Sequence, residues 1–331
     1  MTWYKKNWDG GKKKVKKIGV VTRDCAGINA ALRAVVRAAD HFGIEVFGFR
    51  RGYDGLIAGD YIPLDRRSVS GIINKGGTIL KTSRSKEFKT KKGQEKAVKN
   101  IYELDLDGII VIGGNGSLTG ARVLAETYNI ATIGVPATID NDINGVEMSI
   151  GVDTAVNVAV EALDKIRDTA MSLERIFIVE VMGRDCGYIA LRVALAAGCE
   201  EVLIPEKQID FTQMYTDILE GNKKGKVSWI IIVAEGKARA SDIADAVTKK
   251  TGLETRVAVL GHIQRGGVPT AFDRILASRL GYYAVELIKK GESNKCVRLN
   301  AGEFSTVSFK QALQPKEIRF EGDYQLVKIL T

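Results

Sequence analysis

The chain has 331 residues, 45% hydrophobic and 27% charged, with 35 glycines: the composition of a soluble globular protein with about two domains, or two lobes around one cleft. A net charge of +9 would invite a nucleic-acid reading, but residues 1–17 hold seven Lys against one Asp and supply +6 of it, so no nucleic-acid partner is expected. Nor is a membrane one. No run approaches the ~18–20 apolar residues of a membrane span, and the start lacks the apolar core of a signal peptide.

Residues 1–15 read as a basic, solvated tail with Trp3, Tyr4 and Trp8 interleaved. The four cysteines (Cys25, Cys186, Cys199, Cys296) form no CxxC pair, which fits reduced thiols in a cytoplasmic protein. Two histidines, His41 and His262, leave no cluster for a protein-built zinc site.

From Lys17 onward, β-branched runs of strand length alternate with amphipathic runs of helix length. Strand Lys17–Val21 precedes helix Asn29–Phe42, and strand Glu45–Phe49 precedes helix Gln94–Leu104. Strand Gly108–Ile112 leads into helix Ser117–Tyr128, and strand Thr132–Val135 into helix Val152–Ala170. The second half continues with strand Ile176–Val181, helix Cys186–Ala197, strand Glu201–Ile204 and helix Phe211–Leu219. Strand Trp229–Val233, helix Ala240–Thr251, strand Arg256–Leu260 and helix Ala271–Lys290 close the series. Such alternation predicts an α/β fold with two similar lobes, each a mainly parallel, Rossmann-like sheet with helices on both faces. In open sheets of this kind, ligands collect beyond the carboxyl ends of the strands.

Those post-strand loops carry the chemistry. Gly113, Gly114, Asn115, Gly116 and Ser117 join a strand to a helix, where glycines admit a phosphate to the helix N-terminus, although a packing turn would look the same. The run Gly76–Thr82 resembles a Walker A loop but lacks the glycine before Lys81. Asp140 and Asp142, two residues apart, suit acid–base work or metal binding; an Asx-type turn is the alternative. Arg184, His262 and Arg265 follow two further strands, and arginine makes bidentate contacts to phosphate oxygens. Each alone could be a surface ion pair; together they point to a phosphorylated small molecule.

From about Lys16 to the C-terminus the chain resembles the bacterial ATP-dependent 6-phosphofructokinase family. The resemblance rests on Thr138–Asp142, Val181–Arg184 and Glu254–Gly267, in that order. It implies a phosphofructokinase fold with a nucleotide-binding lobe (residues 16–150 plus about 264–313) and a sugar-phosphate-binding lobe (about 151–263 plus 314–331). It also implies transfer of the ATP γ-phosphate to the 1-hydroxyl of fructose 6-phosphate, with Mg2+, in glycolysis. Asp140 is then the base, Thr138 and Asp142 support it, and Arg184 stabilises the transferring phosphoryl group. Met182, Gly183, Glu235, His262 and Arg265 would hold the sugar phosphate, with Arg175 and Arg256 reaching it from a neighbouring subunit of a homotetramer. Arg23, Tyr53, Arg84, Gly114, Asn115, Gly116, Ser117 and Gly120 fall on the nucleotide side. An allosteric site for a nucleoside diphosphate or phosphoenolpyruvate would use Arg33, Arg37, Arg66, Arg167, Lys224 and Lys226, with Glu200 as its acidic residue.

Two departures concern the donor. The first loop, Thr22–Asn29, is about two residues shorter than the family's and has Arg23 where glycines are usual. Asn115 stands where the family has an Asp that binds magnesium, leaving Asp142 as the stronger metal ligand. Gly116 and Ala137 depart from the pyrophosphate-using branch, so ATP is the expected donor. The alternative is a regulatory paralogue with little or no turnover that binds fructose 6-phosphate and effectors, in a mixed oligomer with an active partner.

Overall fold

A computed structural model describes residues 15–330; the basic tail, apart from Val15, lies outside the described residues. Every strand expected from the sequence is present: β1 (Lys17–Thr22), β2 (Glu45–Phe49), β4 (Gly108–Gly113), β5 (Thr132–Pro136), β6 (Ile176–Val181), β7 (Glu201–Leu203), β8 (Trp229–Ala234) and β9 (Thr255–Val259). Three others went unanticipated: β3 (Tyr61–Leu64) and the hairpin of β10 (Lys295–Asn300) and β11 (Glu303–Ser308). β3 contains Pro63, which an edge strand tolerates because its outer side needs no N–H. The hairpin turns on Ala301-Gly302, both at positive φ (48° and 83°), the backbone a two-residue hairpin requires.

The helices are α1 (Ile28–His41), α2 (Tyr53–Ala58), α3 (Lys91–Glu103), α4 (Asn115–Tyr128), α5 (Val152–Leu173), α6 (Tyr188–Ala197), α7 (Phe211–Lys223), α8 (Ala240–Thr251), α9 (Ala271–Lys289), α10 (Phe309–Ala312) and α11 (Glu321–Leu330). α6 begins two residues later than expected, because Cys186 still belongs to the turn after β6; its N–H donates to Gly183 O at 3.0 Å.

Two sheets result. The larger has seven strands in the order β11-β10-β5-β4-β1-β2-β3, parallel except at its two edge strands; the smaller is β7-β8-β6-β9 and wholly parallel. Alternation of side chains covers both faces of each. In β4, Ile110 and Ile112 pack with α1 and α9, whereas Ile109 and Val111 face α3 and α4. In β8, Ile230 and Ile232 join the core that holds α5 and α6; Ile231 and Val233 face α7 and α8. The first of these cores is continuous between the sheets.

Candidate active site

After β5 the chain crosses to the smaller sheet through residues 137–151 and α5, and the first part of this crossing frames Asp140. Asn141 adopts a left-handed backbone (φ 53°), and its side chain braces the loop: Oδ1 accepts the Ser149 N–H at 3.0 Å and Nδ2 donates to Glu147 O at 3.1 Å. The Ser149 hydroxyl donates to Thr138 O at 2.7 Å, and the Asp140 N–H donates to Thr138 Oγ1 at 3.2 Å. Asp140 is 1% exposed, yet neither carboxylate oxygen has a hydrogen-bond partner. Lys316, which the sequence reading passed over, donates to Val146 O at 2.7 Å and closes the frame; burial pulls its pKa down.

Opposite stands the turn after β6. The Met182 N–H donates to Gln264 Oε1 at 2.8 Å; those of Gly183 and Arg184 donate to Glu235 Oε1 at 3.2 and 2.9 Å. Arg184 is thereby held at φ 51°, with Nε 3.3 Å from Asp140 Oδ2 and Nη1 3.7 Å from Asp142 Oδ2. Burial raises the Asp140 pKa, opposed by Arg184 and Arg265 and reinforced by Asp142 and Glu235. Arg265 closes the short 3-10 turn Gly261–Arg265 after β9, which also carries the exposed His262. Asp140, Asp142, Arg184, Glu235 and Arg265 thus share one site at the carboxyl ends of both sheets.

Besides Lys316, two positions in this arrangement were not singled out from sequence. Gln264 is 1% exposed and sits inside the Glu254–Gly267 motif, but one sequence cannot tell a buried glutamine from an exposed one. Gly236 abuts the Arg184 backbone: a Cβ there would lie 1.9 Å from Arg184 O. Gly236→Ala is therefore expected to displace the turn and lower kcat by at least about tenfold, at a cost of about 1–3 kcal/mol. Steady-state kinetics paired with thermal melting checks this.

On the other flank, β4 delivers Gly113 and Gly114 to the start of α4. Asn115 Nδ2 donates to Asp142 O at 3.3 Å, while Asn115 Oδ1 and Asp142 Oδ1 are buried without partners. Gly116 is exposed at this helix start, and Ser117 is buried. Tyr53 lies beneath the loop, its hydroxyl donating to Ser117 O at 2.7 Å and its ring stacked on Phe88 and closed over Gly120. Arg23 donates to Ser83 O at 2.6 Å beside the exposed Arg84; burial lowers its pKa, followed by Arg84 and Arg265. Among the described residues no three His, Cys, Asp or Glu gather to hold a metal. The open oxygens of Asn115 and Asp142 fit a divalent cation that brings its other ligands with it, as phosphate-bound magnesium does.

The remaining candidates lie elsewhere. Arg175 Nε is 3.0 Å from Glu254 Oε2, and Arg256 pairs with the same carboxylate at the outer edge of β9. Arg33, Arg37 and Arg66 cluster on and beside α1: burial lowers the Arg33 pKa, followed by Arg37 and Arg66. Arg66 also pairs with Asp40 at 3.1 Å. On the smaller sheet, Arg167 donates to Ala197 O and Gly198 O, and Lys226 pairs with Glu200 at 3.1 Å; Lys224 caps α7 nearby. No ion pair or hydrogen bond joins these two basic groups among the described residues.

An α/β fold that meets a buried free carboxylate with convergent arginines and a glycine-rich helix start defines a phosphoryl-transfer type of site. The phosphofructokinase family profile matches residues 17–288, and the chain belongs to that family. It is 49% identical over 319 residues to the ATP-dependent 6-phosphofructokinase of Thermotoga neapolitana, covering 96% of this chain and all of that one. The Bacillus subtilis protein of the same name is 48% identical over the same 319-residue length and coverage. Among solved structures, Saccharomyces cerevisiae phosphofructokinase superimposes with a TM-score of 0.84 at 34% identity, over 90% of this chain and 45% of that longer chain.

Proposed function

We propose that the chain transfers the γ-phosphate of ATP to the 1-hydroxyl of fructose 6-phosphate. The observation that carries this reading is the Asp140 carboxylate, buried without a hydrogen bond and facing Arg184 across the meeting point of the two sheets. Asp140 accepts the hydroxyl proton as the O1–P bond forms and the bond to the ADP oxygen breaks. Arg184 bears charge on the moving phosphoryl group, and Met182, Gly183, Glu235, His262 and Arg265 hold the sugar phosphate. A divalent cation, which we take to be Mg2+, neutralises phosphate charge when bound with the nucleotide; Asp142 and Asn115 are the oxygens to hold it. The relatives named above give no support to a non-catalytic regulatory chain.

Around this centre, residues 16–150 with about 264–313 are assigned to the nucleotide lobe, and about 151–263 with 314–331 to the sugar-phosphate lobe. In keeping with this, β10 and β11 lie in the larger sheet, while α11 packs on α6 and β7. The edge strand β9 exposes Val257 (43%) and Val259 (60%) beside Arg175 and Arg256, apolar area that a second subunit would cover, as a homotetramer requires. The separate basic groups of Arg33, Arg37, Arg66 and of Arg167, Glu200, Lys224, Lys226 are assigned to a diphosphate or phosphoenolpyruvate effector bridging subunits. No helix among the described residues is long and apolar enough to cross a membrane, and the four cysteines are free and buried, in keeping with a cytoplasmic place.

Purified protein given fructose 6-phosphate, ATP and Mg2+ is expected to form fructose 1,6-bisphosphate at roughly 1–100 per second. Absence of product, with fructose 6-phosphate bound, would return the regulatory reading.

A further inference from the structure

Arg23 is placed where a donor phosphate would meet the protein. Its N–H donates to Ile112 O at 3.0 Å, which fixes the first loop against the end of β4. Its stem crosses the start of the glycine loop, with Cγ 2.9 Å from where a Gly113 Cβ would stand. Nη1 is held by Ser83 O and, at 3.5 Å, by Thr82 Oγ1, leaving Nε and Nη2 without a hydrogen-bond partner among the described residues.

The charge around it is unbalanced. Arg23, Arg84 and Arg265 have no ion-pair partner among the described residues, and Arg184 is paired with Asp140 and Asp142. Burial lowers the Arg23 pKa, and like charge on Arg84, Arg265 and Arg184 lowers it further, against a single acid, Asp24, that raises it. Such a set is stabilised when an anion enters it. On the metal side the position beside Asp142 is the neutral Asn115, and the neighbouring acid, Asp140, faces Arg184. Around Arg23, therefore, arginines outnumber acids, while the metal side offers one carboxylate and one neutral amide.

Building on the kinase reading, we infer that Arg23 supplies part of the charge neutralisation that a divalent cation otherwise gives the donor polyphosphate, so that nucleotide binding, as distinct from turnover, depends only weakly on metal. A guanidinium can hold phosphate oxygens through two N–H groups at once. Unlike a cation it is already in place, so no ion has to be captured with the nucleotide.

The test measures binding, not activity. Affinity of the full chain for the non-hydrolysable imido analogue of ATP is determined by calorimetry in excess EDTA and again in Mg2+. The expected ratio of the two dissociation constants is below about tenfold. Arg23→Gln, which leaves an amide donor on a shorter stem and removes the charge, should lose at least about tenfold of the EDTA affinity and less of the Mg2+ affinity. Asn115→Asp should shift binding the opposite way, toward metal. Fructose 6-phosphate binding by each variant serves as the folding control, and Arg23→Lys, which keeps the charge, should retain more EDTA affinity than Arg23→Gln. Binding by the parent only in Mg2+, or an unchanged EDTA affinity in Arg23→Gln, overturns the inference and leaves the kinase reading standing. No nucleotide binding under either condition overturns both.

Discussion

Asp140→Asn is expected to lower kcat by about 10²–10⁴ while fructose 6-phosphate still binds. The carboxylate is the group in the cleft that can accept a hydroxyl proton: it is buried, its two oxygens have no hydrogen-bond donor, and the arginine facing it approaches without satisfying either. Asn keeps the shape and removes the basicity, so binding and chemistry separate. Because burial raises the Asp140 pKa, the base is lost as pH falls through a value above the ordinary carboxylate range. The acid limb of kcat/KM should lie there, and in Arg184→Gln the limb of the residual activity should move to higher pH, since Arg184 opposes the shift. The same sign applies to folding. A carboxylate whose folded pKa is raised favours the fold most below its unfolded pKa and progressively less as pH rises through the folded one. Asp140→Asn should therefore melt no lower than the parent at neutral pH. A variant that lost stability and sugar-phosphate binding together would mark Asp140 as a structural residue instead.

Asp273→Ala is expected to cost about 3 kcal/mol or more, the largest stability loss among single polar changes near the site. Asp273 is fully buried in the first turn of α9. Its Oδ1 accepts the Gly151 N–H at 2.8 Å, and its Oδ2 accepts the Thr154 N–H at 2.8 Å as well as the Thr154 hydroxyl. Alanine strands three buried donors at the N-terminus of α5, the helix that carries the chain from the Asp140 loop to the smaller sheet. Melting should show the loss. Hydrogen exchange should show faster opening at Gly151 and Thr154, and at Ser149, whose N–H is held by Asn141. A variant as stable as the parent would mean that water replaces the carboxylate at no cost.

The two residues did not stand out equally in the sequence. Asp140 was legible because it lies in a post-strand loop beside a second acid and within a motif of the family that the chain resembles. Asp273 was not: it reads as one more acid at a helix start, and its partners are more than a hundred positions away. Gly236 and Gln264 were passed over for a related reason, since what each does depends on a backbone brought against it from another strand. The strands that were missed, β3, β10 and β11, are edge or hairpin strands with partly exposed faces, so they lack the unbroken apolar runs by which the central strands declare themselves.

The order of the central strands and the long helices, the parallel character of the sheets and the loops where chemistry would be found were local properties of the chain, set by the period of its apolar residues and by glycines at strand ends. Which loops meet was not local. Only the packed structure brings the turn after β6 against the loop after β5, sets Arg23 among three other arginines, and leaves the Asp140 carboxylate buried without a hydrogen bond. Burial and pairing are properties of the surroundings, and residues far apart in sequence make up those surroundings.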